Sequence, residues 1–125
     1  YSDRFDEYAD SLPEVYQIGL RNPQGLALST SGNMYLSNHG AKGGDFIGLV
    51  LPDTNYGWNN IGWGGINYIG TKIGNGEAFR DEYLKPIVSW VPSIAPSDIV
   101  FYKGDEFPEW SNDLFKIQNA SKNQY

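Results

Sequence analysis

RNPQGLALSTSGNMYLSNHGAKGGDFIGLVLPDTNYGW, residues 21–58, is the stretch that decides the fold. Pro23 biases Asn22 toward extended backbone. GLAL (25–28) then reads as a compact apolar strand. STSGN (29–33) is a polar turn with Gly32 near its tip, and MYLS (34–37) pairs back across it as a hairpin. Residues 38–45 form a Gly-rich loop. FIGLVL (46–51) is a third strand, in which Gly48 marks a bulge or the close approach of another segment. PDTNYGW (52–58) closes the unit as an aromatic turn.

Upstream, VYQIG (15–19) reads as a short lead-in strand with imperfect alternation. Residues 1–14 are acidic and polar, a loop or a short frayed helix that Pro13 prevents from continuing. Downstream, residues 59–85 are irregular, and EAFRDEYL (77–84) predicts one or two helical turns. A connection this long is commonly functional. PIVSW (86–90) is a fourth strand and residues 92–96 a rigid corner. DIVFY (98–102) and DLFKI (113–117) are strands on either side of KGDEFPEW (103–110), a tight, aromatic-braced turn. Residues 119–125 have no apolar pattern and read as frayed. Seven short strands separated by Gly, Pro and aromatic turns predict an all-β sandwich, barrel or propeller. The pattern alone favours the sandwich.

The bulk numbers remove several function classes. The net charge of −6 over 125 residues argues against a phosphate-backbone footprint, so no nucleic-acid partner is expected. With no cysteine there is no disulfide framework, thiol catalysis or Cys-containing zinc site. No apolar run approaches the length of a membrane span. The chain begins mid-pattern without a basic-then-apolar leader.

Two groups of residues could carry chemistry. Arg21, Asn22 and Gln24 lie at a strand mouth, where a guanidinium offers a fixed fork of donors matched to a carboxylate. An Arg salt bridge and an Asn turn cap are the structural alternative. His39 to Asp45 is the second group. Its glycines allow backbone angles that turn carbonyls inward, as a calcium site would need. Asp45 would add or orient negative charge. His39, the one histidine, is read as a structural imidazole, and Lys42 as a solvated cation. The loop lacks the GxxxxGK[ST] pattern and Rossmann spacing; EF-hand, HExxH and GxSxG signatures are also absent. Tyr56 and Trp58 are read as packing residues. Asp98, Asp105 and Asp113 are read as turn and cap residues.

RNPQGLA, HGAKGGD and NYGW in this order, followed by PSIAPSDIVFYKGDEFPEWSNDLF, resemble the soluble quinoprotein glucose and aldose sugar dehydrogenases over roughly residues 15–117. The resemblance implies an all-β chain, part of a six-bladed β-propeller built of four-stranded antiparallel blades. Residues 1–19 would end one blade, 20–91 form a full blade with a long loop at 59–85, and 92–125 begin the next. It implies pyrroloquinoline quinone (PQQ) and calcium as cofactors. Arg21 and Asn22 would lie against PQQ, with Gln24, His39 and Asp45 as further cofactor contacts. Backbone carbonyls of Gly40 and Ala41 would hold calcium. Arg21 would be catalytic, stabilising negative charge on a quinone oxygen while the C1 hydroxyl of an aldose is oxidised to a lactone. A sugar, an electron acceptor and a periplasmic or secreted location complete the implied picture.

Departures from the family pattern matter. Ala41 replaces a proline, Asp98 replaces a glycine in the SIAPSG corner, and Val88 and Val91 stand where glucose-oxidising members carry aromatics. The chain is also too short for a whole propeller and lacks the family's catalytic base, so the isolated chain is expected to be inactive. Two blades alone would expose sheet edges that invite self-association. A non-enzymatic, propeller-derived binding or structural module and a self-contained small all-β domain are the alternatives.

Overall fold

A computed structural model describes residues 14–118. The expectations for residues 1–13 and 119–125 lie outside the described residues. The strands are β1 (Gln17–Ile18), β2 (Pro23–Leu28), β3 (Met34–Asn38), β4 (Asp45–Leu49), β5 (Thr54–Asn55), β6 (Val88–Trp90), β7 (Pro96–Phe101) and β8 (Leu114–Gln118). β2, β3, β4 and β6 form one four-stranded antiparallel sheet in that order, the arrangement of a propeller blade. The chain is all-β, as expected.

The β2–β3 hairpin is set by its polar turn. Ser29 and Asn33 are bonded backbone to backbone at 2.9 Å, and the Ser29 hydroxyl accepts the Asn33 N–H at 3.0 Å. This fixes the register Leu26 to Leu36 and Leu28 to Met34. Pairing then sends Leu36 and Phe46 to one face of the sheet and Tyr35 and Ile47 to the other.

The first face is covered by the turn after β4. Phe46 and the fully buried Tyr56 pack with ring centroids 4.7 Å apart, and Trp63 meets Phe46 edge-on at 6.4 Å. The Tyr56 hydroxyl donates to the Leu49 carbonyl at 2.9 Å, and burial pushes its pKa up to about 12. Gly48 is a close-approach position rather than a bulge. A Cβ there would overlap the Tyr56 hydroxyl, and its pairing with Leu36 is unbroken. The second face meets β7, with Tyr35 and Phe101 packed edge-on at 5.2 Å.

β7 and β8 pair antiparallel as a separate two-stranded sheet. The turn between them is braced by Tyr102, Phe107, Trp110 and Phe115. Phe107 and Trp110 stack at 4.4 Å, and a 3-10 helix spans Pro108–Trp110.

β1, expected as a lead-in strand outside this sheet, pairs in parallel with β5, a two-residue strand that the aromatic turn conceals. One sequence expectation needs correction. Residues 77–84 are not helical. Arg80 is drawn to Glu77 and Glu82, and the Leu84 N–H goes to the Asn55 carbonyl at 2.8 Å, away from the helical ladder. Among the described residues no helix is long and apolar enough to cross a membrane.

Candidate cofactor-binding site

Arg21 and Asn22 lie in the turn between β1 and β2, and the end of β3 holds them there. Both backbone N–H groups donate to the side-chain oxygen of the buried Asn38, each at 3.0 Å. The His39 N–H returns to the Asn22 carbonyl at 2.9 Å. Sequence reasoning placed Asn38 only as the start of the loop. An amide serving a neighbouring turn leaves no spacing signal.

Arg21 reaches the Gly-rich loop through one nitrogen. Nη1 donates to the Gly40 carbonyl at 2.8 Å and to the His39 carbonyl at 3.3 Å. A guanidinium has five N–H donors, and among the described residues neither Nε nor Nη2 has an acceptor. The guanidinium carbon lies 5.5 Å from the Trp58 ring centroid and 5.3 Å from that of Tyr68. Trp58, read from sequence as packing, therefore also touches the site. Tyr68 comes from the irregular excursion and carried no signal.

The Asn22 side-chain oxygen accepts from the Gln24 amide at 2.6 Å. Gln24 thereby fixes the Asn22 amide, and the Asn22 NH2 is left as a donor. His39 is partly exposed, with Nδ1 2.7 Å from the Gly40 carbonyl and 3.5 Å from the Asp45 carboxylate. Because a carbonyl only accepts, this contact puts a proton on Nδ1.

Asp45 is fully buried, and its carboxylate binds protein rather than facing open space. Oδ1 accepts the Gly40 N–H at 2.7 Å. Oδ2 accepts the Ser93 hydroxyl at 2.7 Å, the Ile94 N–H at 2.7 Å and the Ala95 N–H at 3.0 Å. Of the two readings of Asp45, adding charge or orienting it, the geometry favours orientation. It ties the Gly-rich loop to the corner before β7. Val91, just ahead of that corner, has its side chain beside Gly43 and Gly64.

The excursion seats on the same loop. The Lys42 N–H donates to the Ile66 carbonyl at 2.9 Å. A Cβ on Gly44 would overlap the Gly62 carbonyl, and one on Gly65 would overlap the Gly43 carbonyl. Glycines on both sides are what let these backbones touch.

The donor set suits a planar anion bearing carboxylates, since Arg21 and Asn22 both present unspent N–H groups. It does not suit a cation in this arrangement. The Gly40 carbonyl already accepts from Arg21 and His39, its full two lone pairs. Among the described residues no three His, Asp or Glu side chains gather as metal ligands.

The glucose/sorbosone dehydrogenase family model matches residues 2–120. The chain belongs to this family. It is 41% identical over 114 residues to the aldose sugar dehydrogenase YliI of Escherichia coli (strain K12), covering 89% of this chain and 30% of that protein. Its fold superposes on the apo-form soluble aldose sugar dehydrogenase of Escherichia coli with a TM-score of 0.81 at 36% identity, over 91% of this chain and 33% of that one. The PQQ-bound aldose sugar dehydrogenase of Streptomyces coelicolor matches with a TM-score of 0.51 at 28% identity, over 72% of this chain and 24% of that one. The chain thus spans about a third of the length of the relatives it matches. Membership in the family supports PQQ as the family cofactor.

Proposed function

We propose that this chain is the part of a PQQ-dependent aldose dehydrogenase that presents Arg21 and the Gly-rich loop to the cofactor. The parent enzyme would oxidise the C1 hydroxyl of an aldose to the lactone by hydride transfer. The observation that carries this reading is Arg21, tethered at Nη1 with Nε and Nη2 unspent.

PQQ, when bound, supplies the quinone that accepts the hydride. The residues of this chain bind and orient. Arg21 is the catalytic residue of the set, its free donors placed to stabilise negative charge on a quinone oxygen or to clamp a carboxylate. Asn22 adds amide donors, aimed by Gln24. His39, through Nδ1, and Asp45 hold the loop on which Arg21 rests. Val88 and Val91 give the sugar no aromatic wall, so the reading extends to aldoses generally and is not tied to glucose. The parent's partners are then the sugar and an electron acceptor, in a periplasmic or secreted setting. Self-association through the open edges of β2 and β6 belongs to the same proposal.

Calcium is the part of the reading that the geometry does not favour. An ion on the Gly40 carbonyl would have to displace Arg21 or His39, and no step is assigned to it or to Ala41. A propeller-derived module without redox function gains support from that saturated carbonyl, because the loop is held without a cation.

The test is PQQ titration of the full 125-residue chain followed by absorbance, with calcium and with a chelator. Saturable binding that weakens about tenfold or more in R21A is expected, the loss of a charge-assisted hydrogen bond. Absent binding, or binding indifferent to R21A, would favour the non-enzymatic module. Aldose turnover by the isolated chain is expected to be nil, and measurable turnover would overturn that part.

A further inference from the structure

We propose that Tyr68 is a positioning residue for Arg21, holding the guanidinium plane so that its free edge meets a carboxylate of a planar aromatic ligand. The inference rests on the cofactor reading above, and three observations carry it.

First, Arg21 is tethered by a single nitrogen. A guanidinium held at one end can still swing about that end. Aromatic rings packed beside the cation restrict that swing without using its N–H donors. Trp58 supplies one ring, 5.5 Å from the guanidinium carbon, and Tyr68 the second, at 5.3 Å, from a separate segment.

Second, nothing in the core accounts for where Tyr68 sits. It is 58% exposed, and its neighbour Ile69 is 86% exposed. An aromatic that escapes burial yet lies against a cation is held for that contact.

Third, the turn that carries it is rigid. The Asn67 N–H donates to the Thr71 carbonyl at 2.9 Å and the Gly70 N–H to the Asn67 carbonyl at 2.8 Å. The Asn67 side-chain amide donates to the Thr71 hydroxyl and to the Lys72 carbonyl, each at 3.0 Å. The root of the turn is fixed to the Gly-rich loop through Lys42 and Ile66 and through the glycine contacts. The ring and the Gly40 carbonyl that tethers Arg21 are therefore placed by one continuous set of contacts.

The experiment compares wild type, Y68A and Y68F in the full chain by two readouts. One is the Kd for PQQ from absorbance. The other is the chemical shift and solvent exchange of the Arg21 Nε–H by NMR. Y68A is expected to raise the Kd about twofold to fivefold, the range of an exposed cation–π contact. It should also move the Arg21 Nε–H toward its free-chain shift and speed its exchange. Y68F should behave as wild type in both, since the ring and not the hydroxyl makes the contact. Melting temperatures should be unchanged throughout.

An unchanged Kd in Y68A, with wild type binding PQQ, would overturn the inference and leave the cofactor reading standing. A wild-type chain that binds no PQQ would remove the cofactor reading for this chain. The NMR readout then decides alone: an Nε–H indifferent to Y68A overturns the inference, and a shifted one supports it. A lower melting temperature for Y68A would make the ring a packing residue and also overturn it.

Discussion

Asp45 is fully buried and accepts four hydrogen bonds, from Gly40, Ser93, Ile94 and Ala95. Arg80 also gathers partners, but its contacts, to Glu77 and Glu82, lie in solvent within its own stretch of chain. Each is a charged side chain at the centre of a small network. The difference is what each network joins and what surrounds it. Asp45 connects segments 48 to 50 residues apart in a place water does not reach. Arg80 shapes a local bend that water would solvate equally well. A charge organises a fold when removing it strands other polar groups, and only Asp45 meets that condition.

D45A should give the largest effect. It leaves the buried Gly40 N–H and the part-buried Ile94 N–H without an acceptor and Ala95 with the Ser93 hydroxyl alone, at a cost of about 3 kcal/mol or more. Urea unfolding measures it, and a midpoint equal to wild type would remove the contrast with Arg80.

Tyr56 comes next and sharpens the comparison through pH. Its folded pKa of about 12 lies above the unfolded value of 10. The folded state therefore keeps a proton that the unfolded chain releases. Its contribution is fully present below pH 10 and is lost as pH rises toward 12. The loss should be on the order of 2 kcal/mol. Y56F should flatten that part of the stability profile, and an unchanged slope would place the alkaline loss elsewhere.

R80A is expected to leave the melting temperature within error. Its two carboxylate partners push the guanidinium pKa upward, but a group already protonated at every working pH gains nothing from that. A clear drop in melting temperature would show that the bend at residues 77–84 matters to the fold.

Much of the blade-like sheet was legible in sequence. GLAL, MYLS, FIGLVL and PIVSW each carry enough apolar residues between turn signals to register as strands. β1 and β5 were not legible as a pair, because two residues are too few to set a period and the partners lie 37 apart. EAFRDEYL has helical composition, yet Leu84 bonds to Asn55, a contact no local pattern encodes. At the site, the Arg-Asn pair and the Gly-rich loop were visible through the family motif. Asp45 was named there too, but its partners at residues 93–95 were not, nor was the work of Asn38 and Tyr68. Each acts on a segment remote in sequence, and residue type alone does not name the partner.

The Gly-to-Gly seating of the excursion has a consequence for how the molecule can vary. Its two ends are pinned, at Gly62 and Gly65 on the Gly-rich loop and at Leu84 on Asn55. What lies between is mostly exposed, and doubling the length of such a loop costs only about 0.6 kcal/mol in closure entropy. Outside the Tyr68 turn and the anchor formed by buried Ile73 and Gly74, the stretch is therefore free to be lengthened or rewritten. New binding preferences can be tried there without disturbing the sheet beneath.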